Sequence, residues 1–296
     1  MRMRWFGVVL AGALAAGCGS PSAAPGVPDA TASAGAARGG PAALVGLWKL
    51  SVPAEPAETV IRFGGDGELG LFRPCLTLSG QWRANTDGLV LGDLNSYSVP
   101  TEQPECASVK EPDADADLVP EWLARVAAFR ADGAQQMLLD ASGATVARLM
   151  PGASPVSRPD MAAEVTGVPT LDAEAREQLE AVAAPLPAKL TPATTAAMLG
   201  RWRPDPMPSE VMADGPFVEF QDGGKWQGSD GCNGEGGRWL AGPDGALLAA
   251  SGPTTLVGCE NVSVGSWLVE AGRAGFDGTT LVLVDPAGKE LGRLVE

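Results

Sequence analysis

The chain has 296 residues, enough for two ordinary domains, and carries 21 lysines and arginines against 36 aspartates and glutamates. Its net charge of −15 argues against nucleic acid as a partner and against electrostatic attraction to anionic lipid. Histidine, the usual general base and metal ligand at neutral pH, is absent from the sequence, so we expect no cofactor and no metal site.

The first residues have the pattern of a secretory signal. Arg2 and Arg4 precede an apolar run over residues 5–16 that is too short for a comfortable transmembrane helix. Small residues follow, and Cys18 comes directly after them, which resembles the lipobox of bacterial lipoproteins. We expect residues 1–17 to be a lipoprotein signal peptide and Cys18 to carry the lipid, palmitate included, that anchors the protein in a membrane. The alternative is an ordinary secreted protein whose signal contains a cysteine.

Residues 18–43 are predicted to be a disordered, flexible tether between the lipid and the folded part. They are rich in alanine, glycine, serine and proline. Such a segment buries too little apolar surface to offset the entropy lost on ordering. The anchored protein would lie in the bacterial cell envelope, facing outside the cytoplasm.

The remaining chain contains an internal duplication. A shift of 157 aligns residues 60–91 with 217–248, and a shift of 145 aligns residues 122–150 with 267–295. Tryptophan, cysteine and glycine keep one order through both alignments, which indicates two homologous domains. Matched pairs include Phe63 and Phe220, Cys75 and Cys232, Trp82 and Trp239, and Trp122 and Trp267.

We place the two domains at residues 44–150 and 197–296, with a linker over residues 151–196. Leucine, alanine and valine form one stripe over residues 171–182, which predicts a single helix packed across the domain junction. A proline pair at 185–187 ends it.

Each domain is predicted to have antiparallel strands, one helix and a closing hairpin. The expected fold class is therefore mainly β within α+β, with two homologous small sheets or barrels, each closed by one helix. Alternating apolar residues, glycine-rich turns and apolar helical faces give the element bounds. Strands are predicted at 59–63, 68–72, 88–91 and 246–248, helices at 118–129 and 264–274, and hairpins at 136–149 and 281–295.

Four cysteines lie in the two domains, at Cys75, Cys106, Cys232 and Cys259. In an exported chain they predict one disulfide per domain, Cys75 to Cys106 and Cys232 to Cys259. A zinc site would need short paired spacings or histidines, and a redox site would need C-x-x-C, none of which is present in the sequence.

The second domain resembles the META domain of bacterial envelope proteins, the family that includes HslJ. The resemblance lies in Gly-Arg-Trp at 200–202, Gly-Ser-Asp-Gly-Cys-Asn at 228–233 and Gly-Gly-Arg-Trp at 236–239, and it covers nearly all of residues 197–296. The first domain is divergent, with Arg-Pro-Cys-Leu at 73–76 in place of the Gly-Cys-Asn motif. The resemblance implies a small, mostly β fold in secreted or lipid-anchored proteins and no established catalytic chemistry.

A candidate binding surface is formed by Trp226, Gly231 and Asn233, in and beside that motif. Trp226 either stacks on a ligand or packs in its strand. The glycine-rich run 228–237 is a weak candidate for a phosphate cradle, because strand-like sequence flanks it where a helix is needed.

The aspartates at 113, 115 and 117 have the spacing of the first half of a calcium loop. Leu118 stands where such a loop needs glycine, so a solvated acidic loop is favoured.

These observations favour a non-enzymatic, lipid-anchored envelope protein that binds an unidentified envelope partner or has a stress-related structural role. A small-ligand carrier with a barrel cavity is the alternative. An enzyme is less favoured, and it would need carboxylates such as Glu219, Asp222 and Glu235 to converge in a cleft.

Overall fold

The computed structural model describes residues 39–100, 103–113, 116–156, 161–207, 215–255, 257 and 262–296. The predicted signal peptide, most of the predicted tether, and three residues singled out above (Cys18, Asp115 and Cys259) lie outside the described residues. Within the described ranges, no helix has both the length and the apolar character that crossing a membrane requires.

The predicted fold class is confirmed, since the protein is mainly β and contains two antiparallel sheets. The strand order of the first sheet is β5-β4-β3-β2-β1-β8-β7-β6. Its strands are β1 (Gly46–Ser51), β2 (Val60–Phe63), β3 (Glu68–Arg73), β4 (Leu76–Ala84), β5 (Val90–Ser98), β6 (Ala128–Asp132), β7 (Gln135–Leu139) and β8 (Thr145–Met150).

The second sheet repeats this order and adds one short strand at its edge. It runs β14-β13-β12-β11-β10-β17-β16-β15-β9. Its strands are β9 (Thr191–Pro192), β10 (Gly200–Pro204), β11 (Phe217–Gln221), β12 (Lys225–Ser229), β13 (Gly234–Ala241), β14 (Leu247–Ser251), β15 (Arg273–Asp277), β16 (Thr280–Val284) and β17 (Glu290–Val295).

Each sheet curls towards a barrel. In the first sheet an antiparallel bridge joins Leu89, before β5, to Ala128 in β6. In the second sheet the corresponding bridge joins Ala246, before β14, to Arg273 in β15. The two end strands of the first sheet therefore meet, and in the second sheet β14 meets β15, the strand next to the short edge strand β9. We refer to the two sheets as the first and the second barrel.

Both domains begin slightly earlier in the chain than predicted. Ala42 is buried within a 3-10 turn, Pro41–Leu44, that precedes β1. Before the second barrel, β9 pairs with β15, and Met198 of the next helix is fully buried in the core. Apolar burial thus extends the folded parts beyond the predicted starts at residues 44 and 197.

The two closing helices are shorter than predicted. Phe129 and Ala274, predicted as helical, instead lie in β6 and β15. A short helix followed by a strand buries the same apolar residues as a long helix would, so the spacing alone did not separate the two structures. The helices are α1 (Glu121–Ala124), α2 (Ala163–Thr166), α3 (Ala173–Glu180), α4 (Thr195–Met198) and α5 (Val264–Glu270).

The linker contacts both barrels. Its predicted helix is present as α3, which begins where the side chain of Asp172 accepts a hydrogen bond from the backbone N–H of Ala175 (2.8 Å). Leu179 of α3 packs against the core of the first barrel, while Leu186 and Leu190 belong to an apolar cluster with strand β16 of the second.

Equivalent tryptophans make equivalent hydrogen bonds in the two barrels. The indole N–H of Trp48 donates to the carbonyl of Leu44 at 2.7 Å, and that of Trp202 donates to Met198 at 2.8 Å. Both bonds span four residues, and both tryptophans are buried. The duplication therefore extends to single polar contacts.

The aromatic centre of each barrel is also repeated. Trp82 packs edge-on against Phe63 with ring centroids 5.2 Å apart, and Trp239 packs against Phe220 at 4.8 Å. Such pairs contribute about 0.5–1.5 kcal/mol beyond their buried area. Large side chains thus fill the barrel interiors.

The two barrels pack on each other through the same strands of each, β4 and β5 against β13 and β14. Gln81 donates across the junction to the carbonyl of Ser251 (2.9 Å), and Arg238 donates to that of Ala124 (3.2 Å). Gln81 and Arg238 are equivalent in the repeat. Between them lies an apolar cluster made by Leu89, Leu91, Ala246, Leu248 and Ala250.

Candidate functional site

The motif loop, residues 229–233, joins β12 to β13 in the second barrel and is stabilised by its own aspartate. One carboxylate oxygen of Asp230 accepts the backbone N–H groups of Cys232 (2.8 Å) and Asn233 (2.7 Å). Gly231 has a φ of 106°, a conformation that favours glycine. The shape of this turn therefore favours the glycine of the Gly-Cys-Asn sequence.

Asn233, predicted as part of a binding surface, is instead a buried structural residue. Its amide NH2 donates to Asp230 (3.0 Å) and to the carbonyl of Val257 (3.0 Å). Its amide oxygen accepts the Thr255 hydroxyl (2.9 Å) and the Val257 N–H (2.6 Å). Four hydrogen bonds occupy the side chain, so it joins the loop to the segment after β14 and presents no free group to a ligand.

Trp226 is likewise buried, with 3% of its surface exposed. Its indole N–H donates to the carbonyl of Ala250 at 2.9 Å. Because β12 alternates, Trp226 points into the barrel and belongs to the core. The interpretation as strand packing is correct, and the one as an exposed stacking platform is wrong.

The predicted disulfide between Cys75 and Cys106 is present. Cys232 is also disulfide-bonded, while its predicted partner, Cys259, lies outside the described residues. Cys75 and Cys232 are equivalent in the repeat and lie in the loops that lead into β4 and β13. The two loops differ in sequence, but each contains a disulfide-bonded cysteine at the equivalent position.

Glu235 is an acidic residue on the inward face of the second barrel. It pairs in register with Gly228, which pairs with the fully buried Val218, and cross-strand partners share a face. Its Oε2 atom is buried and has no hydrogen-bond partner among the described residues. Burial, and then the negative charge of Asp230, raise the pKa of Glu235, although its bond from the Gly265 N–H opposes this rise.

Sequence reasoning named Glu235 only as one of three carboxylates for a hypothetical enzyme, and these three do not converge. Glu219 pairs in register with Gln227, which is exposed, so both lie on the outer face of the sheet, opposite to Glu235. Asp222 is exposed in the turn between β11 and β12. Glu235 lies four positions before the core residue Trp239 on the same face of β13, and this alternation was the signal that could have placed Glu235 inside.

Two clefts adjoin Glu235. The larger, of about 610 Å³, is open and lies at the junction of the barrels, with Asp93, Asn95 and Phe217 on its walls and glycines of β13 on its floor. The smaller, of about 200 Å³, lies between β14 and helix α5 and is lined by Glu270 among others.

Two further sequence patterns, the glycine-rich run 228–237 and the acidic segment 113–117, also have structural explanations. The glycine-rich run joins two strands, β12 and β13, and opens no helix. In the acidic segment, Asp113 pairs with Lys110 (3.0 Å) and Asp117 pairs with Lys225 (2.6 Å). In the described ranges no cluster of three or more metal-binding side chains is found.

A second polar cluster, not anticipated from the sequence, holds the equivalent loop of the first barrel. Glu55, whose side chain is 2% exposed, accepts two hydrogen bonds from Arg73 (2.8 and 2.7 Å) and one from the indole N–H of Trp122 (2.7 Å). Glu55 lies between β1 and β2, far in sequence from both partners, so no local pattern pointed to it.

Comparison of the chain with protein-family models, curated proteins and solved structures finds no match. The function is therefore inferred from the residues and their geometry.

Proposed function

We propose that this protein is a non-enzymatic lipoprotein of the bacterial cell envelope, anchored through a lipid on Cys18 and facing outside the cytoplasm. Its two META-like domains bind an envelope partner or have a stress-related structural role. The Gly-Cys-Asn motif serves as a rigid turn. We expect the surface that contacts the partner to lie on the outside of the paired barrels.

The observation that carries the proposal is that the motif's polar groups and the barrel interiors are already occupied by the protein itself. Asn233 makes four internal hydrogen bonds, and side chains such as Phe63 and Phe220 fill the cores. A carrier would need an interior apolar space, and an enzyme would need converging reactive groups. The disulfide between Cys75 and Cys106 fits export to an oxidising compartment.

Anchoring is tested by growing cells that express the wild-type protein or the Cys18→Ser variant with a clickable palmitate analogue. We expect label on the wild-type protein in the membrane fraction. The variant should lack label and leave that fraction. An unlabelled wild-type protein would show that Cys18 is not lipidated, and label persisting in the variant would place the lipid at another residue.

The binding role is tested by photo-crosslinking in the same cells, with a crosslinker at exposed positions of the two barrels. We expect one specific adduct that depends on the crosslinker position. A small molecule that copurifies in native mass spectrometry, without any adduct, would favour the carrier.

A further inference from the structure

A cleft of about 490 Å³ lies between the first barrel and the linker. One wall is the β2–β3 turn, with Asp66 and its flanking glycines, together with the end of β4. The other wall is helix α3 and the residues before it, including Asp172 and Glu174. The volume is within the range of about 300–1,000 Å³ that small-molecule sites occupy.

Arg83, on β4, lines this cleft. Its neighbour Trp82 points into the barrel, so Arg83 points outward, on the same face as its cross-strand partner Leu91. Leu91 is buried in the apolar cluster at the barrel junction, and the burial of Arg83 beside it lowers the pKa of the guanidinium. No described residue forms a hydrogen bond or an ion pair with the Arg83 side chain.

The other charged groups of the cleft are engaged. Arg62 donates to the carbonyls of Gly167 and Glu164, both at 3.2 Å. Asp66 accepts the backbone N–H of Glu68 at 3.1 Å. Two carboxylates remain, and each is bonded within the linker: Asp172 caps α3, and Glu174 accepts the amide of Gln178.

An arginine in this position is not explained by the fold. The equivalent residue of the second barrel is Leu240, which packs at the barrel junction. A guanidinium stays charged, and partial burial without a counter-charge is costly, whereas an apolar side chain at the same position is not. The planar guanidinium pairs most strongly with carboxylate or phosphate oxygens, which it binds in bidentate fashion.

We propose that this cleft binds a small polar ligand through its anionic group, a carboxylate or a phosphate, and that Arg83 is the residue that binds this group. The proposal concerns the first barrel and the linker, and it does not depend on the lipid anchor.

The test is isothermal titration and thermal unfolding of the full-length protein in detergent, with sodium phosphate and sodium succinate as probes at constant ionic strength. We expect one probe to bind saturably and to raise Tm, which also distinguishes a phosphate from a carboxylate site. In Arg83→Met, binding should weaken by about tenfold or more. In Arg83→Lys, which keeps the positive charge but loses the planar, bidentate guanidinium, binding should weaken less than in Arg83→Met.

Arg125→Met serves as the matched control, because Arg125 is an exposed arginine of the first domain that does not line the cleft. It should bind the probe as the wild-type protein does. Without a probe, Arg83→Met should have a Tm at least equal to that of the wild-type protein, because it removes a partly buried, unpaired charge. Equal binding by the wild-type protein and Arg83→Met, or no binding of either probe, would overturn the proposal.

Discussion

The two barrels have one topology, but the loop after the third strand of each is held in two different ways. In the first barrel Arg73, the last residue of β3, donates to the buried carboxylate of Glu55. In the second barrel the residue equivalent to Arg73 is Asp230, which bonds to its own loop and to Asn233. The barrel and the cysteine within the loop are common to both, so the fold tolerates either arrangement.

A second difference lies in the strand that follows this loop, β4 in the first barrel and β13 in the second. Leu78 of the first barrel is buried in the core, and its equivalent in the second barrel is Glu235. The carboxylate lies against the first turn of α5, beside Gly265. A Cβ added at Gly265 would overlap its Oε2 atom, so the helix fits closely over the acid. The second barrel thus exchanges apolar packing for a polar contact with its closing helix.

The largest effect is expected from Glu55→Ala. It removes the carboxylate that pairs with Arg73 and that accepts the indole N–H of Trp122. Breaking a buried ion pair from one side costs about 3–5 kcal/mol, because the remaining charge is left unpaired. Urea unfolding followed by tryptophan fluorescence measures the free energy lost.

Glu68→Ala is the control for this variant. Glu68 pairs with Arg62 at 3.6 Å, but its side chain is 63% exposed. We expect a loss below about 1 kcal/mol. If both substitutions cost the same, the Glu55 cluster does not stabilise the first barrel as described.

The strands of this protein were largely predictable, and the clusters that distinguish the barrels were not. Strands such as β2 and β16 follow from short runs of apolar, β-branched residues beside turns, and the repeat transferred each prediction to the other domain. The partners of Asn233 and Glu235 come from the segment after β14 and from α5. Such long-range contacts leave no local signal, which is why Asn233 was assigned to a surface that it does not form.

A smaller effect is expected from Asn233→Leu, which introduces the residue found at the equivalent position, Leu76. The buried carboxylate of Asp230 would lose the donor that Asn233 supplies, and the Val257 N–H and the Thr255 hydroxyl would lose their acceptor. Leaving buried polar groups unsatisfied costs about 1–3 kcal/mol. Thermal unfolding should show this loss. Gln227→Leu, at an exposed position of the neighbouring strand β12, should change stability by no more than about 0.5 kcal/mol. Equal Tm values for the two variants would contradict the structural role of Asn233.

The smallest effect is expected from Glu235→Gln. The informative quantity is the sign of its change in Tm relative to the wild-type protein. Burial and the charge of Asp230 raise the pKa of Glu235 in the folded protein above its value of 4.5 in the unfolded chain. The folded protein then holds this proton more tightly, so the stability that Glu235 contributes is full below the unfolded pKa and is lost as pH rises through the folded pKa. Relative to the wild-type protein, the neutral variant should therefore gain Tm between pH 4 and pH 7.

Asp277→Asn is the control, and its Tm should change in the opposite direction. The hydrogen bond from Arg293 lowers the pKa of Asp277, so the stability that this carboxylate contributes is present above the unfolded pKa and is lost as pH falls through the folded pKa. Its variant should lose Tm relative to the wild-type protein over the same pH interval. If both variants shift in one direction, a general charge effect is responsible, and burial does not raise the pKa of Glu235 as its inward position implies.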